Sequence, residues 1–254
     1  MNMDTPRTSL LQGLPFLARI GATGFMFAAA LGLYASLRQI QHHHGKNDGV
    51  PELSYTDVVG AYHGVNLPSP MRSALEGSLA GHEGLVFEAG EREALLAWLD
   101  DGRAAEVFDD IDRGDMAPIE IFARRCDACH TGGGAAAAFD SFASVKPLLS
   151  DKQLVPTPAD IVWTSLHTHA PAMFSYGFVL CLAALLTRHG RVLRSLPLAL
   201  AGLGVALDVG SWIPARDFGF LVPAIVTGGA LFSAGCALAI VVVLHDVWWP
   251  ARRI

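Results

Sequence analysis

The sequence predicts an all-α protein: four transmembrane helices, with a mainly helical extracytoplasmic domain inserted between the first and the second. Three observations predict it. The chain contains four long apolar runs, its middle segment shows helical spacing with little strand-like alternation, and its charge is divided unevenly between these parts. The implied division is residues 1–40 as tail and anchor, 41–166 as the outer domain and 167–254 as a three-helix membrane region.

The 254 residues are 52% hydrophobic and 17% charged, a balance tilted towards a membrane protein. Crossing a hydrocarbon core takes about 20 helical residues at ~1.5 Å each. Ile20 to Leu37 contains no charge before Arg38, and Ala170 to Thr187 contains none. Ser195 to Pro214 carries one acid, Asp208, and Phe218 to Leu244 has no ionisable group except Cys236. Four such runs are hard to bury in a water-soluble core of this length. The first also resembles a signal peptide with a small-residue site at Ala35, but its apolar core exceeds the usual length of about 7–15 residues, so a retained anchor is expected.

Between Asp48 and Asp160 the net charge is −12, and the remainder of the chain is +6. Arg188, Arg191 and Arg194 crowd the link between the second and third runs, and Arg252 and Arg253 follow the fourth. Short loops rich in Arg face the cytoplasm, which puts both termini inside and the acidic segment outside, in a bacterium the periplasm. An acidic outer segment disfavours nucleic acid as a partner, since phosphate backbones attract bases. The acids Glu91, Glu93, Asp100, Asp101, Asp109, Asp110 and Asp112 form a candidate surface for steering a basic redox partner, such as a soluble cytochrome.

Within that segment, Pro70 to Leu79, Glu91 to Leu99, Ala104 to Ile111, Ala117 to His130 and Ala135 to Leu149 read as helices. The stretch from His42 to Gly49 reads as a polar linker. Two of the four cysteines, Cys181 and Cys236, fall in apolar runs and read as small buried side chains. The other two form Cys126-Asp127-Ala128-Cys129-His130, the C-x-x-C-H pattern of covalent haem attachment. On a helical turn, thiols three residues apart reach the two vinyl groups of one porphyrin, while the adjacent imidazole turns to the iron. A thioredoxin-like dithiol would call for a surrounding βαβ pattern, and structural zinc for a second Cys/His pair; the sequence offers neither. One covalent haem c is therefore expected on Cys126 and Cys129, with His130 as an iron ligand.

The sixth ligand stays open. Met71, Met116, His63, His82, His167 and His169 are candidates, with His169, His63 and Met71 ranked first. A methionine would raise the reduction potential relative to a second histidine. Only a short stretch separates His130 from the second run, which favours ligands upstream of the motif or at the membrane surface.

The layout of an anchor, Tyr62-His63-Gly64, Cys126-x-x-Cys129-His130, then His167-Thr168-His169 opening a three-helix membrane region, resembles a family of bacterial membrane-anchored mono-haem c-type cytochromes. The resemblance implies electron transfer within a respiratory or other membrane chain, as a carrier rather than an enzyme by itself. It implies the lipid bilayer, redox proteins and a larger membrane complex as partners. The stretch Ala170-Pro171-Ala172-Met173 departs from the family pattern.

Ionisable groups near the membrane are functional candidates by default. His167 and His169, near His42 to His44, are candidate ligands of an additional, non-covalent b-type haem, which would make the chain a cytochrome subunit of a quinol-oxidising enzyme. A haem-based sensor with an open axial position is the other alternative. Asp208 is expected to pair with Arg216, His189 and His245 to lie at the inner ends of the second and fourth runs, and Trp212, Trp248 and Trp249 to mark the interfaces.

Overall fold

Long apolar runs become long helices because, in lipid, a helix satisfies its own backbone groups. The computed structural model describes residues 10–49, 52–79, 81–82, 84–130 and 138–249. In chain order its elements are α1 (Phe16–His44), α2 (Tyr55–Tyr62), β1 (Val65–Leu67), α3 (Pro70–Leu75), α4 (Glu91–Asp100), α5 (Ala104–Val107), α6 (Pro118–Arg125), α7 (Phe142–Val145), β2 (Lys152–Leu154), α8 (Ala159–Leu185), α9 (Arg191–Ser211) and α10 (Val222–Trp248). Helices α1, α8, α9 and α10 are long and apolar enough to cross a membrane, as expected of a multi-pass membrane protein.

The chain divides into two compact units, residues 1–65 with 154–254, and residues 66–153. The first holds the four long helices and α2. Its most buried member is α10, packed against α9, α8 and α1. The α9–α10 contact is built on small residues. A Cβ on Gly204 would run into the backbone of Phe232, one on Gly228 into that of Asp208, and one on Gly235 would lie 2.6 Å from the Ala201 nitrogen. Such close backbone approach is how helices adhere where lipid removes the hydrophobic drive. Helix α1 buries only Met26 and is tied to the bundle by polar contacts: the Trp248 indole N–H donates to Thr23 Oγ1 at 2.8 Å, and the Tyr176 hydroxyl to the Ala29 carbonyl. Where α8 and α10 end, fully buried Asp246 accepts from the Arg188 backbone and faces its guanidinium at 3.3 Å. The His189 and His245 rings meet beside them, 5.1 Å apart.

Three sequence expectations are corrected here. Helix α8 begins at Ala159 rather than Ala170, so His167 and His169 lie inside a helix and not at its mouth. Its polar first turns are helical because Pro158 precedes them and Asp160 suits a helix N-terminus, which an apolar-run criterion does not detect. Helix α1 continues through His42, His43 and His44 and stops at Gly45, so the triple histidine closes a helix instead of forming a linker. Asp208 forms no ion pair with Arg216 among the described residues. It accepts from the indole of Trp212, one turn on, at 2.8 Å, while Arg216 donates to the Thr157 carbonyl.

The second unit is small and aromatic. Leu95, Trp98, Ile121, Phe122 and Val145 are wholly buried, with Met71, Leu75, Phe108 and Phe139 around them. Helix α4 matches its expected Glu91 to Leu99 within one residue, but the other helices are shorter than the sequence predicts. Helix α5 ends at Val107, and a 3-10 stretch at Ile111–Met116 follows, broken at Gly114, whose φ of 51° suits glycine. Of Ala135 to Leu149, residues 135–137 lie outside the described set; the rest holds only α7 and a 3-10 turn at Lys146–Leu148. Strands β1 and β2 form a two-stranded pair where the chain leaves and rejoins the first unit.

Candidate functional site

Helix α6 carries the cysteines into place. Pro118 stands at its first position, where a missing N–H costs nothing. Ile121 and Phe122 on its inner face are locked in the aromatic core, while Arg124 and Arg125 stand in its last turn. The helix ends at Arg125, but turning continues. The Cys126 N–H donates to the Phe122 carbonyl at 2.8 Å, and the N–H groups of Cys129 and His130 donate to the Cys126 carbonyl at 3.1 and 3.0 Å. Cys126, Cys129 and His130 therefore stand at i, i+3 and i+4 of one helical turn, on a common face.

That turn is pinned by a buried carboxylate. Glu91 at the start of α4 accepts from Arg125 Nε at 2.7 Å, from Arg124 Nη2 at 3.1 Å and from the Glu88 N–H at 2.8 Å. The Arg125 guanidinium, donating directly, is the main reason the carboxyl is held down to about 2, with the Glu88 N–H and Arg124 adding to it against the effect of burial. Arg125 immediately precedes Cys126, so α4 and the cysteine turn are joined through this contact. Glu91 is accordingly not part of a partner-facing acidic surface, which corrects the sequence expectation. Asp100, although exposed, is paired with Arg72, Asp101 with Arg103 and Asp110 with Arg113, while Glu93, Asp109 and Asp112 are exposed.

Both thiols of the motif are free. Cys129 is exposed and Cys126 half-buried against the core. Burial, and then the neighbouring Asp127, push the Cys126 thiol up to about 11. No cluster of three or more His, Cys, Asp or Glu side chains able to hold a metal ion occurs among the described residues, so a four-ligand zinc site is not assembled from them. Haem needs no such cluster, because the porphyrin supplies four of the iron's ligands. The donor set therefore fits a covalent haem: two thiols and an imidazole on one face, beside an aromatic wall. His130 itself is stacked on Phe139, ring centroids 4.1 Å apart and planes 23° apart.

The other candidate ligands divide between the units. His82 belongs to the unit of the motif, its ring centroid 6.2 Å from that of His130. Met71 is also in that unit, 4% exposed and packed into the core. His63, His167 and His169 belong to the other unit. His63 Nδ1 lies 3.0 Å from the Arg216 carbonyl, and its ring rests against Gly219. His169 Nδ1 lies 2.8 Å from the Ser165 carbonyl, with the ring edge-on to Trp212; His167 is exposed on α8. In the sequence His82 ranked after His169, His63 and Met71, since no spacing along the chain sets it beside His130. Comparison with known proteins finds no matching family model, no matching curated protein and no matching solved structure.

Proposed function

We propose that this chain is a membrane-anchored electron carrier holding one covalent haem c on Cys126 and Cys129, with His130 as an iron ligand. The observation that carries the reading is the placement of two free thiols and one imidazole at i, i+3 and i+4 of a single turn, on a C-x-x-C-H sequence. When bound, the haem supplies the one-electron couple. The protein holds and orients it: the cysteines bond it covalently, the Glu91–Arg125 contact fixes the turn, and Phe139 sets the plane of the His130 ring.

The four apolar helices keep the carrier at a membrane. The arginines after α8 and α10 support cytoplasmic termini and a haem domain on the opposite, periplasmic side, where covalent haem attachment takes place in bacteria. Redox proteins of a membrane chain are the partners, with Glu93, Asp109 and Asp112 available to a basic one. The mono-haem cytochrome family named above is the relationship this reading favours.

The test is to express the full chain in a host competent for cytochrome c maturation, then stain a denaturing gel for haem and record a pyridine haemochrome. Haem staining at the mass of the chain is expected, and its loss in Cys126→Ser with Cys129→Ser. An unstained wild-type band refutes the proposal. A second reading, a quinol-oxidising subunit with an added b-type haem, draws support from His63 and His169, whose Nδ1 atoms are held by carbonyls in the way that orients a ligating histidine. Acid–acetone extraction separates the two, since only a non-covalent haem is released.

A further inference from the structure

We propose that His82 is the second axial ligand, so that the iron is held between His82 and His130; the inference rests on the haem reading above. Imidazole nitrogens bond a transition metal at about 2 Å, so two such rings on opposite sides of one iron have centroids roughly 6 Å apart once the ring radii are added. The His82 and His130 centroids are 6.2 Å apart, with planes at 43°. That separation is wider than the 4.1 Å at which His130 stacks on Phe139, and it equals the spacing of two imidazoles that each present one ring nitrogen to a single iron.

The backbone around His82 is built to hold it there. Ser78 and Leu79 both donate to the Ser73 carbonyl, fastening the loop to α3. The His82 N–H then donates to the Leu79 carbonyl and the Leu85 N–H to the His82 carbonyl, at 3.1 Å each. Gly81, at φ 85°, takes the left-handed conformation that reverses the chain just before the histidine. Met71 and Leu75 of α3 lie in the same core against which Cys126 packs. Both imidazoles thus belong to the 66–153 unit, and both are half-buried. Met71, by contrast, is committed to filling that core.

With both axial positions occupied by protein, the site is suited to passing electrons and not to capturing a gas. Two imidazoles also set a lower potential than a His/Met pair. The experiment uses full-length protein carrying haem, purified in detergent, and reads electron paramagnetic resonance of the oxidised form together with carbon monoxide binding by the reduced form. Wild type is expected to be low-spin with two nitrogen ligands and slow to bind carbon monoxide. His82→Ala should keep its covalent haem, turn high-spin, bind carbon monoxide at least tenfold faster and return to low-spin on adding imidazole; Met71→Leu, His63→Ala and His169→Ala should stay low-spin. A low-spin His82→Ala protein, or a high-spin form of any of the other three, overturns the assignment while leaving haem attachment standing. Absence of covalent haem in the wild type overturns both.

Discussion

The two units of this chain solve the same packing problem with opposite materials. In residues 66–153 the core is made of large rings: Trp98, Phe108, Phe122, Phe139 and Phe142 meet at centroid distances of 5.2 to 6.1 Å, gathered from helices too short to be stable alone and from the chain between them. Each ring removes a large apolar area from water, which is what drives a small unit to fold. In the bundle the tightest interface carries almost no side chain. Gly204, Gly228 and Gly235 let α9 and α10 approach backbone to backbone, and the large apolar side chains Phe174, Leu203 and Val241 stay exposed on the outer surface. The difference is one of solvent. Water rewards hiding bulk, whereas lipid is indifferent to it and rewards close contact.

Removing a ring should therefore harm one unit and adding a side chain the other, with the ring the larger loss. Trp98→Ala takes out a fully buried ring whose indole N–H donates to the Ala104 carbonyl at 2.8 Å. It should destabilise the 66–153 unit by about 3–5 kcal/mol in denaturant melts followed by near-ultraviolet circular dichroism, with the helical signal of the bundle unchanged. If that substitution also melted the long helices, the two regions would not be energetically separate. Gly228→Leu asks α9 and α10 to part and should cost about 1–3 kcal/mol, read as faster thermal loss of the detergent-solubilised bundle; Gly229→Leu, whose Cβ would meet only the Asp208 carboxylate at 3.5 Å, should cost less. Equal effects would remove the argument for a small-residue interface.

Glu91 ties the stability of the 66–153 unit to pH. Its carboxyl is held down to about 2 in the fold, against an ordinary value of 4.5. A depressed pKa contributes stability that is complete above about 4.5 and lost as the pH falls through about 2. The 66–153 unit should weaken on acidification across that window, and Glu91→Gln should flatten the dependence. An unaltered acid profile in the variant would show that other carboxylates govern it.

The bundle was legible in the sequence because a bilayer imposes a minimum length on apolar runs, and all four runs became helices. Their ends were not. Ala159 to Thr168 is polar enough to read as part of the outer segment, yet it is helical. The partner of Asp208 was readable, since Trp212 stands four positions on along the same helix, but charge pairing drew attention to Arg216 instead. In the 66–153 unit, the motif could be read residue by residue because its spacing is local. The nearness of His82 to His130 could not, because a loop with Gly77 and Gly81 at φ 71° and 85° brings them together and no periodicity encodes it.

The pairing of β1 with β2 means that the first and last residues of the 66–153 unit run side by side, about 5 Å apart as paired strands are. A segment whose ends nearly touch is topologically a cassette. Excising it would leave a gap that a few residues can bridge, and an unrelated globule with adjacent termini could be spliced into the same position without lengthening the path between α2 and α8.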